Sequence, residues 1–223
     1  MPDSRPPAAV LFDMDGTLVD TEHLWWQAAA ELATELDLTL TEDDLPEVLG
    51  QAVEHTAAHL HRASGTERTE ADLIERLGDS FADKVATEIV PRPGALALLA
   101  ALRAADVPTA LVSASPRRVV DLVLGSLGTE WFTTTLAAED TERTKPAPDP
   151  YLAAALRLGL DPAVCVAVED TPTGVASAQA AGCAVLAVPS AVPIPAAPRV
   201  TLLDSLVHAD LAFLGKLGAA RAV

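Results

Sequence analysis

Positively charged residues are scarce in this chain of 223 residues, and their scarcity narrows the range of possible partners. Only 15 Lys and Arg residues accompany 32 Asp and Glu residues, so the formal net charge is −17 at pH 7. Nucleic acids and anionic membranes both attract proteins that carry a positive face. We therefore expect neither nucleic acid nor a membrane to be the main partner.

Long apolar runs and cysteines are also lacking. No stretch of about 18 consecutive apolar residues occurs, so we expect no membrane-spanning helix. Residues 1–7 lack the basic start and the apolar run of a signal peptide. Cys165 and Cys183 each lie in an apolar run, which favours two reduced core residues over a disulfide or a metal site. Together these features predict a cytoplasmic protein.

Short apolar runs that stop abruptly at polar or small residues are present instead. Such runs are typical of strands that are buried on both faces of a parallel sheet. They cover residues 8–12, 109–112, 165–168, 183–188 and 200–203. Helical stretches lie between these runs. One covers 94–105, and others begin at the start signals Ser115-Pro116, Asp149-Pro150 and Thr171-Pro172. Alternating strands and helices predict an α/β fold with a Rossmann-like, doubly wound parallel sheet.

Residues 21–89 interrupt this alternation, because they contain helix-like segments and no β-rich run. The segments are 24–36, 41–49, 53–63 and 69–85. Thr41 with Asp44, and Thr69 with Asp72, resemble capping boxes at helix starts. We therefore predict an all-helical subdomain over 21–89, inserted into a Rossmann-like core formed by 1–20 and 90–223.

The first predicted strand ends in two acidic residues, in the run Asp13-Met14-Asp15-Gly16-Thr17. Carboxylates two residues apart on an extended chain point to the same side, and Gly16 allows a sharp turn directly afterwards. In open α/β sheets, ligands bind beyond the carboxyl ends of the strands. A turn-forming Asp-Gly pair is the structural alternative, but a buried strand that delivers two aspartates to one place favours a functional site.

Hydroxyl groups follow the second predicted strand. Ser113 and Ser115 lie where a new helix begins, and the free N–H groups of a helix start can bind an anion. We expect Ser115 to cap this helix, which leaves Ser113 for a ligand.

Two further segments carry charged side chains at comparable places. Lys145 precedes Pro146, which restricts its backbone, although in isolation it reads as a surface lysine. Glu169 and Asp170 follow the strand at 165–168, and adjacent carboxylates suit Mg²⁺. Capping of the next helix by Asp170 or Thr171 is an equally good interpretation of that segment alone.

Taken together, these segments resemble the four motifs of the haloacid dehalogenase-like superfamily of aspartate-nucleophile phosphotransferases. The motifs appear in the family's order, and the resemblance covers nearly the whole chain. The residues that carry it are Asp13-Met14-Asp15-Gly16-Thr17, Ser113, Lys145 and Glu169-Asp170. The helical insert is similar to the cap of the subgroup that includes β-phosphoglucomutase and many small-molecule phosphatases.

The resemblance implies a role for each catalytic residue. Asp13 would be the nucleophile that forms an aspartyl-phosphate, and Asp15 would be the acid and base. Lys145 and Ser113 would stabilise the transferring phosphoryl oxygens. The dehalogenases of the family do not carry an acid at the position of Asp15, so its presence favours phosphoryl transfer.

The resemblance also implies a Mg²⁺ ion. A carboxylate that attacks a phosphate dianion meets like-charge repulsion, which a divalent cation relieves. Its ligands would be Asp13, the backbone carbonyl of Asp15, and Asp170. Glu169 would be a further ligand or would support the others.

The predicted helical subdomain decides between a phosphatase and a mutase. Mutases of the β-phosphoglucomutase type carry an arginine where this chain has Val53, and a histidine near the position of Trp25. Both departures favour a Mg²⁺-dependent phosphatase for small phosphate monoesters, sugar or polyol phosphates among them. Gln51 and His55 could contact this small phosphorylated metabolite, although solvated helix residues are the simpler interpretation. The alternatives are a sugar-phosphate mutase and a non-catalytic module that binds a phosphorylated metabolite, and the oligomeric state is left open.

Overall fold

Six parallel strands form one sheet in the computed structural model, which describes residues 6–219. The strands are β1 (Ala9–Phe12), β2 (Thr109–Val112), β3 (Thr134–Leu136), β4 (Cys165–Glu169), β5 (Ala184–Ala187) and β6 (Val200–Leu202). Their order across the sheet is β3-β2-β1-β4-β5-β6, and every pair is parallel. This is the strand order of a Rossmann-like fold. The predicted α/β fold class is confirmed.

The central strand β1 lies at the point where the strand order reverses. Its residue Phe12 is in register with Leu111 of β2 and with Val168 of β4. The three strands therefore end at the same level, and the residues that follow them share one edge of the sheet. In sheets of this type, ligands bind at that point.

Helices cover both faces of the sheet. They are α5 (Ala95–Ala104), α6 (Arg117–Leu127), α7 (Asp149–Arg157), α8 (Pro172–Ala181) and α9 (Leu211–Ala219). Leu11 and Ala167 pack with residues of α7 and α8 in one apolar cluster. Val10 and Phe12 alternate with them towards the opposite face and are fully buried as well. No helix among residues 6–219 combines the length and the apolar character that crossing a membrane requires.

Two elements of this unit do not follow from the sequence patterns. β3 is a three-residue strand at the edge of the sheet with two threonines, and it lacks the apolar run that predicts the other strands. α9 is rich in leucine and glycine, and Asp210 directly before it accepts a hydrogen bond from the backbone N–H of Phe213 at 2.7 Å, but the sequence patterns above do not include this start signal. Residues 1–5, most of the segment for which we predict no signal peptide, lie outside the described residues.

Both cysteines lie in the core, Cys165 as the first residue of β4 and Cys183 directly before β5. Cys165 and Cys183 are free and buried. Burial raises the pKa of Cys165 to about 11 and that of Cys183 to about 12. Both thiols are therefore protonated at neutral pH, which agrees with the prediction of reduced core residues.

Residues Thr21–Ile89 form a second compact unit, distinct from the unit made by 6–20 and 90–219. Its helices are α1 (Glu22–Glu35), α2 (Leu45–Val48), α3 (Val53–Ser64) and α4 (Glu70–Val85). Leucines that are almost fully buried form its core, among them Leu32, Leu60 and Leu77. The Trp25 indole donates to the carbonyl of Val48 at 2.9 Å. That this helical unit acts as a cap stays a prediction.

The segment predicted as one helix at 41–49 is shorter and divided in the structure. A 3₁₀ turn covers Glu42–Asp44, and the single turn of α2 follows it, with Pro46 in its first turn. The capping box of Thr41 and Asp44 is confirmed, although it begins the 3₁₀ turn. The Thr69 hydroxyl accepts a hydrogen bond from the backbone N–H of Asp72 at the start of α4.

Asp140 connects two helices to the end of β3. Its carboxylate accepts hydrogen bonds from the guanidinium groups of Arg117 at 2.5 Å and Arg157 at 2.8 Å. It also accepts from the backbone N–H of Ala137 at 2.8 Å. Burial opposes ionisation, but these three donors outweigh it and lower the pKa of Asp140 to about 2.

We expect Asp140→Asn to lower the free energy of unfolding at pH 7 by about 1 kcal/mol, a figure reduced for partial solvent exposure. Because the native pKa is depressed, the carboxylate contributes fully above its ordinary pKa of 3.8 and loses that contribution as the pH falls towards 2. Urea unfolding from pH 7 to pH 2 measures this. The difference from wild type should shrink below pH 4, whereas a constant difference would contradict the account. Asp204→Asn, on the surface, controls for the loss of one charge.

Gly94, just before α5, has a backbone φ of +89°, and a Cβ there would overlap backbone atoms of Leu206 and Val207. Gly159 has a φ of +71°, but a Cβ there would meet no heavy atom of the described residues within 4 Å. Gly159→Ala should therefore lower the free energy of unfolding by about 1–2 kcal/mol, which is the strain of an alanine in the left-handed conformation. Gly94→Ala should lower the free energy of unfolding by about 2 kcal/mol more, because the backbone at Leu206 and Val207 must also move. Equal losses in thermal or urea unfolding would show that the close approach at Gly94 is unimportant.

Candidate active site

The end of β1 places Asp13 at the middle of the sheet edge. The backbone N–H of Asp13 donates to the carbonyl of Val168 in β4 at 2.9 Å, and the Asp13 side chain is almost fully buried. The chain then turns at Gly16, where φ is +74°. A Cβ at Gly16 would overlap the carboxylate of Asp170, so the turn requires glycine.

Lys145 joins two of the predicted acidic residues. Its ammonium group donates to Asp13 Oδ1 at 2.5 Å and to Glu169 Oε1 at 2.6 Å, although these residues lie far apart in the sequence. Burial alone would lower the pKa of Lys145, but the charges of Asp13 and Glu169 outweigh it and raise that pKa above its ordinary value. Lys145 is therefore a buried cation in an acidic cluster, and not a surface lysine.

The Glu169 carboxylate is fully buried and engaged on both oxygens. Oε1 accepts from Lys145 and, at 2.5 Å, from the hydroxyl of Tyr151, while Oε2 accepts from the backbone N–H of Asp170 at 3.3 Å. Burial and the charge of Asp13 raise the pKa of Glu169 to about 7, against the opposing charge of Lys145. The same carboxylate thus fixes the lysine and the tyrosine.

The Asp170 carboxylate is also oriented by neighbours. Its Oδ1 accepts from the hydroxyl of Thr17 at 3.3 Å, and its Oδ2 accepts from the hydroxyl of Ser190 at 2.5 Å. Asp170 is 1% exposed. Of the two candidates for the cap of α8, Thr171 is the N-cap, and its hydroxyl accepts from the backbone N–H of Gly174. The Asp170 carboxylate takes part in tertiary contacts instead.

These residues form a cluster that could bind a metal ion. Oxygens of Asp13, Glu169 and Asp170 lie within 4.8 Å of one another. Asp13 Oδ2 is buried and has no hydrogen-bond partner among the described residues. Three buried carboxylates face one ammonium group, so the cluster carries excess negative charge. Hard, oxygen-rich sites of this kind fit a divalent cation such as Mg²⁺ or Ca²⁺.

The two hydroxyls after β2 both contact Asp15. α6 begins at Arg117 with Pro116 as its N-cap and no side-chain cap, so the prediction that Ser115 caps this helix is wrong. The Ser115 hydroxyl instead donates to Asp15 Oδ2 at 2.7 Å. Ser113 donates to the same oxygen at 3.3 Å and accepts from the backbone N–H of Ser115 at 2.9 Å. Ser113 therefore contacts Asp15, and its binding of a ligand stays a prediction.

Gln51 and His55, the predicted substrate contacts, lie in the helical unit and have partners there. The Gln51 amide donates to the carbonyl of Pro46 at 2.9 Å, and His55 Nε2 lies 2.8 Å from the Glu47 carboxylate. Both side chains are exposed. Their contact with a substrate stays a prediction.

Tyr151 and Ser190 belong to the site, but neither lies in one of the sequence motifs described above. Tyr151 is the single tyrosine of the chain, and its ring also lies 5.3 Å from the ammonium group of Lys145. Ser190 follows β5, so the rule that sites form at the carboxyl ends of strands would find it if applied to that strand. No comparable rule finds Tyr151, because buried tyrosines are common in cores.

Comparison with known proteins supports one family. Residues 10–188 match the model of the haloacid dehalogenase-like hydrolases. The chain is 36% identical over 214 residues to hexitol phosphatase A of Escherichia coli (strain K12), covering 89% of each chain. It is 33% identical over 193 residues to the protein CbbY of Rhodobacter capsulatus, covering 82% of this chain and 85% of that protein.

A solved structure is similar along most of its length. The crystal structure of CbbY from Rhodobacter sphaeroides, in complex with phosphate, superposes with a TM-score of 0.78 at 27% identity. The superposition covers 91% of this chain and 96% of that one. The family resemblance of the sequence motifs is confirmed: this chain belongs to the haloacid dehalogenase-like hydrolases.

Proposed function

We propose that this enzyme, a phosphoric monoester hydrolase, is a Mg²⁺-dependent phosphatase of small sugar or polyol phosphates that acts through an aspartyl-phosphate on Asp13. The observation that carries the proposal is the buried cluster in which Lys145 binds Asp13 while Asp13 Oδ2 has no hydrogen-bond partner among the described residues. Relatives named as hexitol phosphatases support the substrate class. The phosphate complex of a similar structure supports a phosphorylated ligand.

Asp13, Asp170 and the backbone carbonyl of Asp15 would hold the Mg²⁺ ion. The orphaned, buried oxygen of Asp13 and the negative excess of the cluster fit such a cation. Both oxygens of Glu169 are already engaged, so its part is to hold Lys145 and balance charge. When bound, the ion neutralises the repulsion between the nucleophilic carboxylate and the phosphate dianion.

The first step transfers the phosphoryl group to Asp13. A carboxylate oxygen of Asp13 attacks phosphorus and forms the acyl phosphate, while the bond from phosphorus to the ester oxygen breaks. Asp15 donates a proton to the departing oxygen, so that the product leaves as a neutral alcohol. The ammonium group of Lys145 stabilises the charge that develops on the phosphoryl oxygens. The Ser113 hydroxyl, which here donates to Asp15 Oδ2 at 3.3 Å, would turn from Asp15 to donate to a phosphoryl oxygen when substrate is bound.

The second step returns the enzyme to its starting state. Asp15, now ionised, accepts a proton from a water molecule as that water attacks phosphorus. The bond between phosphorus and Asp13 breaks, and inorganic phosphate leaves. Lys145 binds Asp13 Oδ1 directly, so it also stabilises the carboxylate as leaving group.

The mutase has less support than the phosphatase. Val53, at the start of α3, has no group that could bind a second phosphate. The Trp25 indole is hydrogen-bonded to Val48, and its ring packs edge-on against Phe81 at 5.3 Å, both within the helical unit. These contacts give Trp25 a packing role.

We expect phosphate release from a panel of sugar, polyol, glycolate and nucleotide monophosphates in the presence of Mg²⁺. Asp13→Asn should lower kcat by on the order of 10³-fold or more, because it removes the nucleophile. Release of inorganic phosphate measures this for each ester. Activity that survives in Asp13→Asn would contradict the proposed nucleophile. Isomerisation of β-glucose 1-phosphate without phosphate release would indicate the mutase, and ligand binding without turnover would indicate the non-catalytic module.

Mg²⁺ should raise the thermal unfolding temperature of the wild-type protein, because ligand that binds the native state stabilises it by about 2.7 kcal/mol at 100 times its Kd. Asp170→Asn should abolish this increase, since it removes a ligand and part of the negative excess. Without Mg²⁺, the variant should be at least as stable as wild type. Asp204→Asn, remote in sequence and on the surface, should keep the full response. An undiminished response of Asp170→Asn would contradict the proposed metal site.

A further inference from the structure

Two serine hydroxyls converge on one oxygen of Asp15. Ser115 donates to Asp15 Oδ2 at 2.7 Å, and Ser113 donates to the same atom at 3.3 Å. We propose that Ser115 is a positioning residue that holds the Asp15 carboxyl group for proton transfer. This inference rests on the proposed function, in which Asp15 is the acid and the base.

The Ser115 hydroxyl can donate to Asp15 because another residue accepts the hydrogen bond at the start of the helix. A serine just before a helix ordinarily accepts a hydrogen bond from an N–H of the first turn. Here the N–H of Arg117, the first residue of α6, donates to the carboxylate of Glu139 at 2.9 and 3.2 Å. Glu139 belongs to the turn after β3, so a neighbouring segment satisfies the helix start.

The backbone of Ser115 is fixed on both sides. Its N–H donates to the hydroxyl of Ser113 at 2.9 Å, and its carbonyl accepts from the N–H of Ala138 at 3.0 Å. Ser113 in turn donates its N–H to Leu136 of β3 at 3.0 Å. The Ser115 hydroxyl is therefore presented from a fixed backbone, which is what a group that orients another side chain requires.

Both hydroxyls contact the same oxygen of Asp15, and the Ser115 bond is the shorter of the two. Because this bond fixes one oxygen of the carboxyl group, it restricts the Asp15 side chain to one orientation. Loss of the Ser115 bond lets the side chain populate other staggered rotamers.

A positioning role through Asp15 predicts dependence on the leaving group. An alkyl phosphate releases a strongly basic oxygen, which needs a proton from Asp15. p-Nitrophenyl phosphate releases a weakly basic phenolate, which departs without one. Ser115→Ala should therefore slow alcohol release from glycerol phosphate about 10-fold and nitrophenolate release less than about 2-fold, as expected when one orienting contact is lost. Both rates are measured in a single turnover with enzyme in excess and Mg²⁺ present, which isolates the first step.

Three variants control this experiment. Ser115→Thr retains the hydroxyl and should restore most of the rate on glycerol phosphate. Ser126→Ala, on an exposed position of α6, should leave both rates unchanged. In an Asp15→Asn background, Ser115→Ala should cause no further loss, because a residue that acts through Asp15 is not additive with its removal.

Each other outcome overturns the inference. Equal losses on both esters would indicate a general structural role, and full activity of Ser115→Ala on glycerol phosphate would show that the bond is unimportant. An additive loss in the Asp15→Asn background would show that Ser115 acts independently of Asp15. If the wild-type enzyme releases neither product, the proposed function fails together with this inference. An active wild type with an unaffected Ser115→Ala rejects only the positioning role.

Discussion

The ammonium group of Lys145 lies between the carboxylates of Asp13 and Glu169, and the other features of the site depend on that pairing. Charges are tolerated in a protein interior only when they are paired and hydrogen-bonded. This pairing allows two carboxylates to be buried side by side, and Asp170 adds a third within reach. The cluster keeps an excess of negative charge that folding alone does not require. Such a departure from the rules of stability is expected at functional sites.

The sheet topology brings these residues together. β1 is central: the chain continues to β2 and β3 on one side of it and then crosses to β4 on the other side. Asp13, directly after β1, and Glu169, the last residue of β4, therefore lie at the ends of adjacent strands, although they are far apart in the sequence. Lys145 reaches them from the loop before α7, where the Ser177 hydroxyl donates to the carbonyl of Ala147 at 2.6 Å. The site forms because the strands end at the same edge of the sheet, where the residues that follow or end each strand lie close together.

Local patterns predict the strands and the charged residues well, because buried runs and strand ends leave clear signals. They do not predict β3, whose threonines at the sheet edge lack an apolar run. They misassign Ser115, since a serine before a helix has two possible partners and only the tertiary structure selects one. Glu139, in the turn after β3, accepts the N–H bond at the start of α6, and the local pattern of residues 113–117 contains no information about that residue. Tyr151 is missed for the same reason, because its bond to Glu169 depends on how α7 packs.

The central claim is that Asp13 carries the phosphoryl group during turnover. Sodium borohydride reduces an acyl phosphate to an alcohol, so it converts a phosphorylated aspartate to homoserine. Peptide mass spectrometry after treatment during turnover with Mg²⁺ and a sugar phosphate reads this change at each residue. The account predicts homoserine at position 13, dependent on both substrate and Mg²⁺. An unmodified Asp13 in an enzyme that is releasing phosphate, or modification at another aspartate, would contradict it.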